Sequence, residues 1–149
     1  MDYKERAMAN FKNGYNCCQA VLLAFADDLG IDEKTAVLIS SPFGGGMGRM
    51  REVCGAVSGM FMVAGLKNGY ADPKAFAEKS DLYALVAEMA GEYKKENGSI
   101  ICRELLEGVK TTEGSTPEQR TEGYYKKRPC AEIVGCAAEI AAKKLGFTE

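Results

Sequence analysis

Apolar residues recur along this chain at three- and four-residue steps, and no segment sustains the two-residue alternation of a strand. Tyr3, Ala7, Met8 and Phe11 share one face of a predicted helix over 2–12, which Asn13-Gly14 ends. Asn16 is an N-cap candidate, with Gln19 placed to complete a capping box. The helix it starts carries Val21, Leu22, Phe25 and Leu29 inward and closes at Gly30. Asp32 begins a third helix, with Ala36, Val37, Leu38 and Ile39, and Ser41-Pro42 stops it. After a glycine-rich loop, 43–52, a helix runs to about Lys67. Asp72-Pro73 signals a long helix over 73–95, with Phe76, Leu82, Leu85, Val86 and Met89 as its apolar set. Ser99 is read as the cap of a short helix to Glu107. Residues 108–127 read as a polar surface excursion, and a last helix begins at Pro129 and ends near Gly146.

The periodicity and the start and stop signals agree, which predicts an all-α, single-domain helical bundle of about six to seven helices over residues 1–149. At 149 residues, the chain can bury roughly 68–70% of its unfolded surface. It therefore needs neither disulfides nor a metal to build a core, and its six cysteines call for another explanation. With 19 basic and 21 acidic residues, the near balance of charge gives no general attraction to nucleic acid or to an anionic membrane. The N-terminal MDYKERAMANFKNG lacks the apolar core of a signal peptide, and the stretch 53–66 is too short to span a bilayer. A cytoplasmic location is expected. Thiols there stay reduced, which favours catalysis, metal binding or simple burial over structural disulfides.

The chain has no histidine. That removes Ser-His-Asp and Cys-His catalysis, His-ligated zinc and c-type haem.

The cysteines form no C-x-x-C pair, yet four fall in the first turns of four predicted helices. Cys17 follows the cap Asn16, Cys54 follows the glycine loop, Cys102 lies three residues after Ser99, and Cys130 follows Pro129. Unpaired N–H groups and the positive end of the macrodipole favour a thiolate there, and the thiolate is both nucleophile and metal ligand. Arg49, Arg51, Arg103 and Arg128 lie close in sequence and add positive potential. Cys17, Cys54, Cys102 and Cys130 are therefore expected to converge on one site at a shared end of several helices, as catalytic thiols or as metal ligands. Cys18 and Cys136 are read as packing residues.

FGGGMGRM (43–50) lacks the G-K-[ST] of a phosphate loop and no strand precedes it, so no nucleotide is expected. Gly44, Gly45 and Gly46 permit positive φ or close backbone approach, or present N–H groups to an anionic cofactor. Gly55, inside CGAVSG, leaves space beside Cys54 for another helix or for a cofactor. Glu52 is read as a helix-start charge or a proton acceptor.

FKNGYNCCQAVLLAF (11–25), FGGGMGRMREVCGAVSG (43–59), Cys102 with its following ELLEG, and Cys130 before the last helix together resemble the C_GCAxxG_C_C family, which is named for redox activity. The central element here reads CGAVSG, with Cys and Gly in the reverse order to the family name. The resemblance implies an all-helical fold and four family cysteines at Cys17, Cys54, Cys102 and Cys130. A similar arrangement occurs in the iron–sulfur portion of split-Soret cytochromes, whose haem-binding portion has no counterpart in this chain.

Three readings follow. The first is thiol–disulfide or electron-relay chemistry at the four cysteines. The second is a [2Fe–2S] cluster or other metal on four thiolates. The third is a non-catalytic helical protein that binds a partner. The redox partner protein and the oligomeric state are left open by the sequence.

Overall fold

The computed structural model describes residues 1–147. The chain folds as an all-α bundle, with an isolated antiparallel bridge between Val53 and Ile101. Six longer helices are α1 (Tyr3–Lys12), α2 (Cys17–Leu29), α3 (Glu33–Ser40), α5 (Gly55–Asn68), α6 (Phe76–Asn97) and α9 (Cys130–Leu145). Three short ones are α4 (Gly44–Met47), α7 (Cys102–Leu105) and α8 (Glu122–Lys127).

The capping signals in the sequence do their expected work in the first half of the chain. Asn16 accepts the N–H of Gln19, whose side chain accepts the N–H of Asn16, so the capping box is complete. Asp32 caps α3 through the N–H of Thr35, and Gly30 ends α2 in the left-handed region.

Three boundaries differ from the sequence reading. The Asp72 carboxylate accepts the N–H of Lys74 and holds a turn, so α6 starts only at Phe76. Ser99 accepts the N–H of Ile101 and donates to Glu104, but the bridge to Val53 keeps Ile101 extended, which delays α7 to Cys102 and shortens it. The polar excursion contains α8, capped by Thr121 through the N–H of Tyr124.

Helices α1, α2, α5 and α9 pack on one another, α3 lies on α2, and α6 lies against α5 and α9. Phe11, Val21, Leu22, Phe25, Val57, Met60, Val134 and Met89 are buried between them. Tyr3 stacks on Phe25 with ring centroids 4.4 Å apart, and Phe147 meets both rings edge-on. The apolar pattern of α6 is only half used: Met89 and Tyr93 are buried, while Phe76 at its start is 83% exposed. Among the described residues, no helix is long and apolar enough to cross a membrane.

The crossing of α5 on α2 is unusually close. A Cβ on Gly59 would lie 2.9 Å from the Cys18 carbonyl oxygen and 2.9 Å from Val21 Cβ. One on Gly55 would lie 2.9 Å from the Phe43 carbonyl oxygen and 3.1 Å from Cys17 Cβ. The small residues Gly55 and Gly59 thus serve the close approach of α5 to α2 and to Phe43. The closeness brings the starts of both helices, and their cysteines, to the same end of the bundle.

Gly59 and Gly65 give opposite expectations on the same helix. Alanine normally stabilises a helix interior by roughly 0.5–1 kcal/mol over glycine. Gly65 is exposed, and a methyl added there would have nothing within 4 Å, so Gly65→Ala is expected to stabilise by about that amount. Gly59→Ala forces α5 away from α2 and is expected to destabilise by about 1–3 kcal/mol. Urea unfolding of the two variants checks this, and equal effects of one sign would refute the tight crossing.

Candidate functional site

Cys17 is the first residue of α2, Cys54 the N-cap of α5, Cys102 the first residue of α7 and Cys130 the first of α9. All four line one cavity of about 380 Å³, together with Gly44, Gly45, Gly46 and Gly55. Two backbone devices bring them there. Segment 51–54 is tied to 100–103 by the N–H of Cys54 to the Ile100 carbonyl (2.8 Å), Cys102 to Glu52 (2.6 Å) and Arg103 to Arg51 (3.2 Å). The glycine turn supplies the other. Gly45, Gly46 and Gly48 have positive φ, and Gly46 lies so near Cys102 that a Cβ would stand 2.5 Å from the cysteine's own. Met47, Arg49 and Arg51 also have φ of 66°, 65° and 61°. Left-handed backbone at a non-glycine residue costs about 1–3 kcal/mol and persists only where surroundings impose it.

The environments of the four sulfurs differ. The Tyr93 hydroxyl, 3.4 Å from the Cys54 sulfur, and the N–H groups of Ala56 and Val57 favour its anion, yet burial outweighs these and pushes its thiol up to about 11. Burial likewise raises Cys102, against the Arg51 guanidinium 3.8 Å from its sulfur. The neighbouring Cys130 thiol, together with burial, raises Cys17 well above the ordinary 9.0. Cys130 is the exception. The neighbouring Cys17 thiol, aided by Arg128 and Arg120, overcomes burial and lowers Cys130 to about 7. The expectation of a depressed pKa at every helix start thus fails at three of the four positions: at Cys54 and Cys102 burial outweighs what one helix terminus returns, and at Cys17 the neighbouring Cys130 acts first and burial second.

The neighbouring charges also sort differently from their order in sequence. Arg128 is buried, pairs with Glu118 and serves Cys130. Arg51 serves Cys102. Arg49 is turned to the carbonyls of Thr112, Gly114 and Thr116. Arg103 pairs with Glu52 at 2.8 Å on the exposed surface, so neither Arg103 nor the Glu52 carboxylate attends a thiol. Cys18 is fully buried against Met62, and its thiol is pushed up to about 12 by burial. Cys136 lies apart, hydrogen-bonded by Asn97 at 3.4 Å.

Several residues of the site carry no signal of their own in the sequence. The excursion before α8 forms a wall of the cavity through Ser115, Pro117, Glu118 and Arg120. Arg120 fixes it by bonding the carbonyls of Phe11 and Tyr15. Tyr93 is legible only as a late apolar position in a long helix. Among the described residues, no three His, Cys, Asp or Glu side chains are grouped tightly enough to hold a metal ion.

Ultraviolet thiolate absorbance followed against pH is expected to show one thiol ionising near 7, about two units below the ordinary value, with the other thiols above it. Cys130→Ser abolishes that step, and Cys17→Ala moves it upward by removing the neighbouring thiol that lowers it. A depressed acid pKa stabilises the fold where the group is ionised, so this contribution is full above pH 9 and fades as pH falls through 7. No ionisation below pH 8 in the unmodified protein would contradict the Cys17–Cys130 arrangement.

Neither the comparison with curated proteins nor that with solved structures finds a match. A family model does match, over residues 15–144, described as "Putative redox-active protein (C_GCAxxG_C_C)". That span takes in all four helix-start cysteines and the glycine turn, and the chain belongs to this redox-active C_GCAxxG_C_C family.

Proposed function

We propose that the protein is a thiol oxidoreductase that works through the four-cysteine cavity, with Cys130 as nucleophile and Cys17 as its resolving partner. The observation that carries this reading is that Cys17 and Cys130, at the starts of α2 and α9, open onto one cavity beside Arg128, where each acts on the other's charge so that Cys17 is raised and Cys130 lowered. A nucleophile with pKa near ambient pH combines thiolate population with intrinsic reactivity.

The chemistry balances with a disulfide as oxidant. The Cys130 thiolate attacks one sulfur of the disulfide, its S–S bond breaks, and the first leaving sulfur takes the proton of Cys17. The Cys17 thiolate then attacks the Cys130 sulfur of the mixed disulfide and expels the second sulfur as a thiolate. The protein loses two electrons as Cys17–Cys130 forms, and the substrate gains them as two thiols, one still ionised. Arg128 stabilises the attacking anion, and the apolar wall of Phe11 and Ile133 keeps competing water away. In the reverse direction the same pair oxidises a dithiol.

A second reading is favoured by the setting of Cys54. Two backbone N–H groups and a tyrosine hydroxyl point at its sulfur, the donor set a ligating thiolate takes. Four thiols on one cavity suit a [2Fe–2S] cluster chemically, and Arg51 and Arg128 offset its charge. Cys17, Cys54, Cys102 and Cys130 would hold it, drawn inward from their present positions, and it would supply one-electron transfer.

One preparation separates the two. Protein purified anaerobically is assayed for iron and sulfide, then oxidised with a small disulfide and mapped by mass spectrometry under acid quench. Dithiol chemistry is expected to give a Cys17–Cys130 linked peptide with loss of two free thiols, absent in Cys17→Ser and Cys130→Ser. Oxidation that leaves those two thiols free sinks the first reading, and colourless, iron-free anaerobic protein sinks the second.

A further inference from the structure

The cysteine cavity is more cationic than its thiols require. Arg49, Arg51, Arg120 and Arg128 line it against a single carboxylate, Glu118. With Cys130 ionised, two positive charges remain in excess.

Three of these arginines are engaged. Arg49 is capped by the carbonyls of Thr112 and Gly114 and by Glu118, Arg120 by the carbonyls of Phe11 and Tyr15, and Arg128 by Glu118 and Cys130. Arg51 differs. Its Nη1 reaches the Cys102 sulfur at 3.8 Å, a weak acceptor while it is a thiol. Its Nη2 is the one buried side-chain nitrogen or oxygen without a hydrogen-bond partner among the described residues. A buried donor left unmatched costs about 1–3 kcal/mol, more when charged. The backbone of Arg51 is also held at φ 61°, so strain is spent on delivering this side chain. Arg51 further borders a second hollow, formed with Arg49, Arg103 and Thr112, so it lines both.

We propose that Arg51 is the receptor for an anionic group of the substrate, and that the cavity takes small carboxylate-bearing disulfides. Guanidinium and carboxylate match as a planar two-bond pair, which fills the empty donor. The apolar side chains of Phe11, Leu105 and Ile133 cover the methylene part of such a ligand. The carboxylate stands off from the Cys130 thiolate because its cation lies on the Cys102 side. The redox half of this proposal rests on the dithiol reading above; the anion site does not.

The test uses three small disulfides alike in length and unlike in charge: dithiodipropionate, hydroxyethyl disulfide and cystamine. The rate of Cys17–Cys130 formation is expected to fall in that order, the anion leading the neutral compound by roughly tenfold or more, as one charged hydrogen bond gives. In Arg51→Met the ratio of anionic to neutral rates falls toward one, and Arg51→Lys restores part of it. Circular dichroism confirms the fold of both variants. Suberate, which carries carbon in place of the two sulfurs of dithiodipropionate, reads the anion site without any redox step. Calorimetry is expected to detect suberate binding that weakens by roughly ten- to a hundredfold in Arg51→Met. Equal rates for the anionic and neutral disulfides, or suberate binding that is absent or indifferent to Arg51, overturns the proposal. If suberate binds through Arg51 while none of the disulfides links Cys17 to Cys130, the anion site stands and the dithiol reading fails.

Discussion

The sulfur chemistry of this molecule depends on α5 lying on α2 with almost nothing between them. Gly55 and Gly59 sit at the contact, and a methyl on either would meet backbone of the glycine turn or of α2. Each glycine inside a helix costs roughly 0.5–1 kcal/mol, and the close crossing offsets it. The return is positional. Helices set this close keep their first residues together, so Cys17 and Cys54 open onto one cavity. The same device recurs in the turn that precedes α5: Gly44 lies against Asn16, and Gly46 against Cys102. Four points of close backbone approach thus bring three helix starts together, and α9 completes the ring with Cys130.

Once the sulfurs are collected, burial and positive charge compete over each of them. A helix N-terminus contributes about 0.3–1 kcal/mol to an anion, which is under one pKa unit at 1.36 kcal/mol per unit. Full burial opposes ionisation by as much as 3–5 units. Helix placement alone therefore cannot hold a thiolate in this cavity. Cys54 demonstrates the point, since two N–H groups and a hydroxyl still leave it protonated at neutral pH. Cys130 escapes because the neighbouring Cys17 thiol and two arginines favour its anion. The asymmetry that makes a nucleophile and a resolving thiol out of two cysteines comes from their mutual contact and from Arg128.

This division explains which parts of the site were legible in the chain. The first three helices have side-chain caps at their starts, so residues such as Asn16, Gln19 and Asp32 announce them locally. The convergence of four cysteines was also readable, because equivalent positions on packed helices meet at one end. The start of α7 was not, since it depends on a bridge between Val53 and Ile101, almost fifty residues apart. Nor was the charge on each thiol. Arg103 is adjacent to Cys102 in sequence and turns away to Glu52, while Arg51, distant in sequence, supplies the cation. Sequence proximity puts two residues near each other without saying which way either side chain points.

The strap between α7 and α8 shows how a polar, aperiodic segment becomes part of a site. Arg49 and Arg120 hold it mainly through main-chain carbonyls, at residues 112, 114 and 116 and at residues 11 and 15. Carbonyls are present whatever the side chains are, so these bonds fix the path of the strap without marking its sequence. Its composition accordingly reads as an ordinary solvated loop. Side-chain ties add to these bonds: Arg49 reaches Thr112 Oγ1 and Glu118, and Glu118 pairs with Arg128, the cation that also faces Cys130. The wall of the cavity and the thiolate inside it therefore draw on one guanidinium. Its charge is divided between a carboxylate that closes the site and a sulfur that reacts in it, and neither can change its own charge without altering the hold on the other.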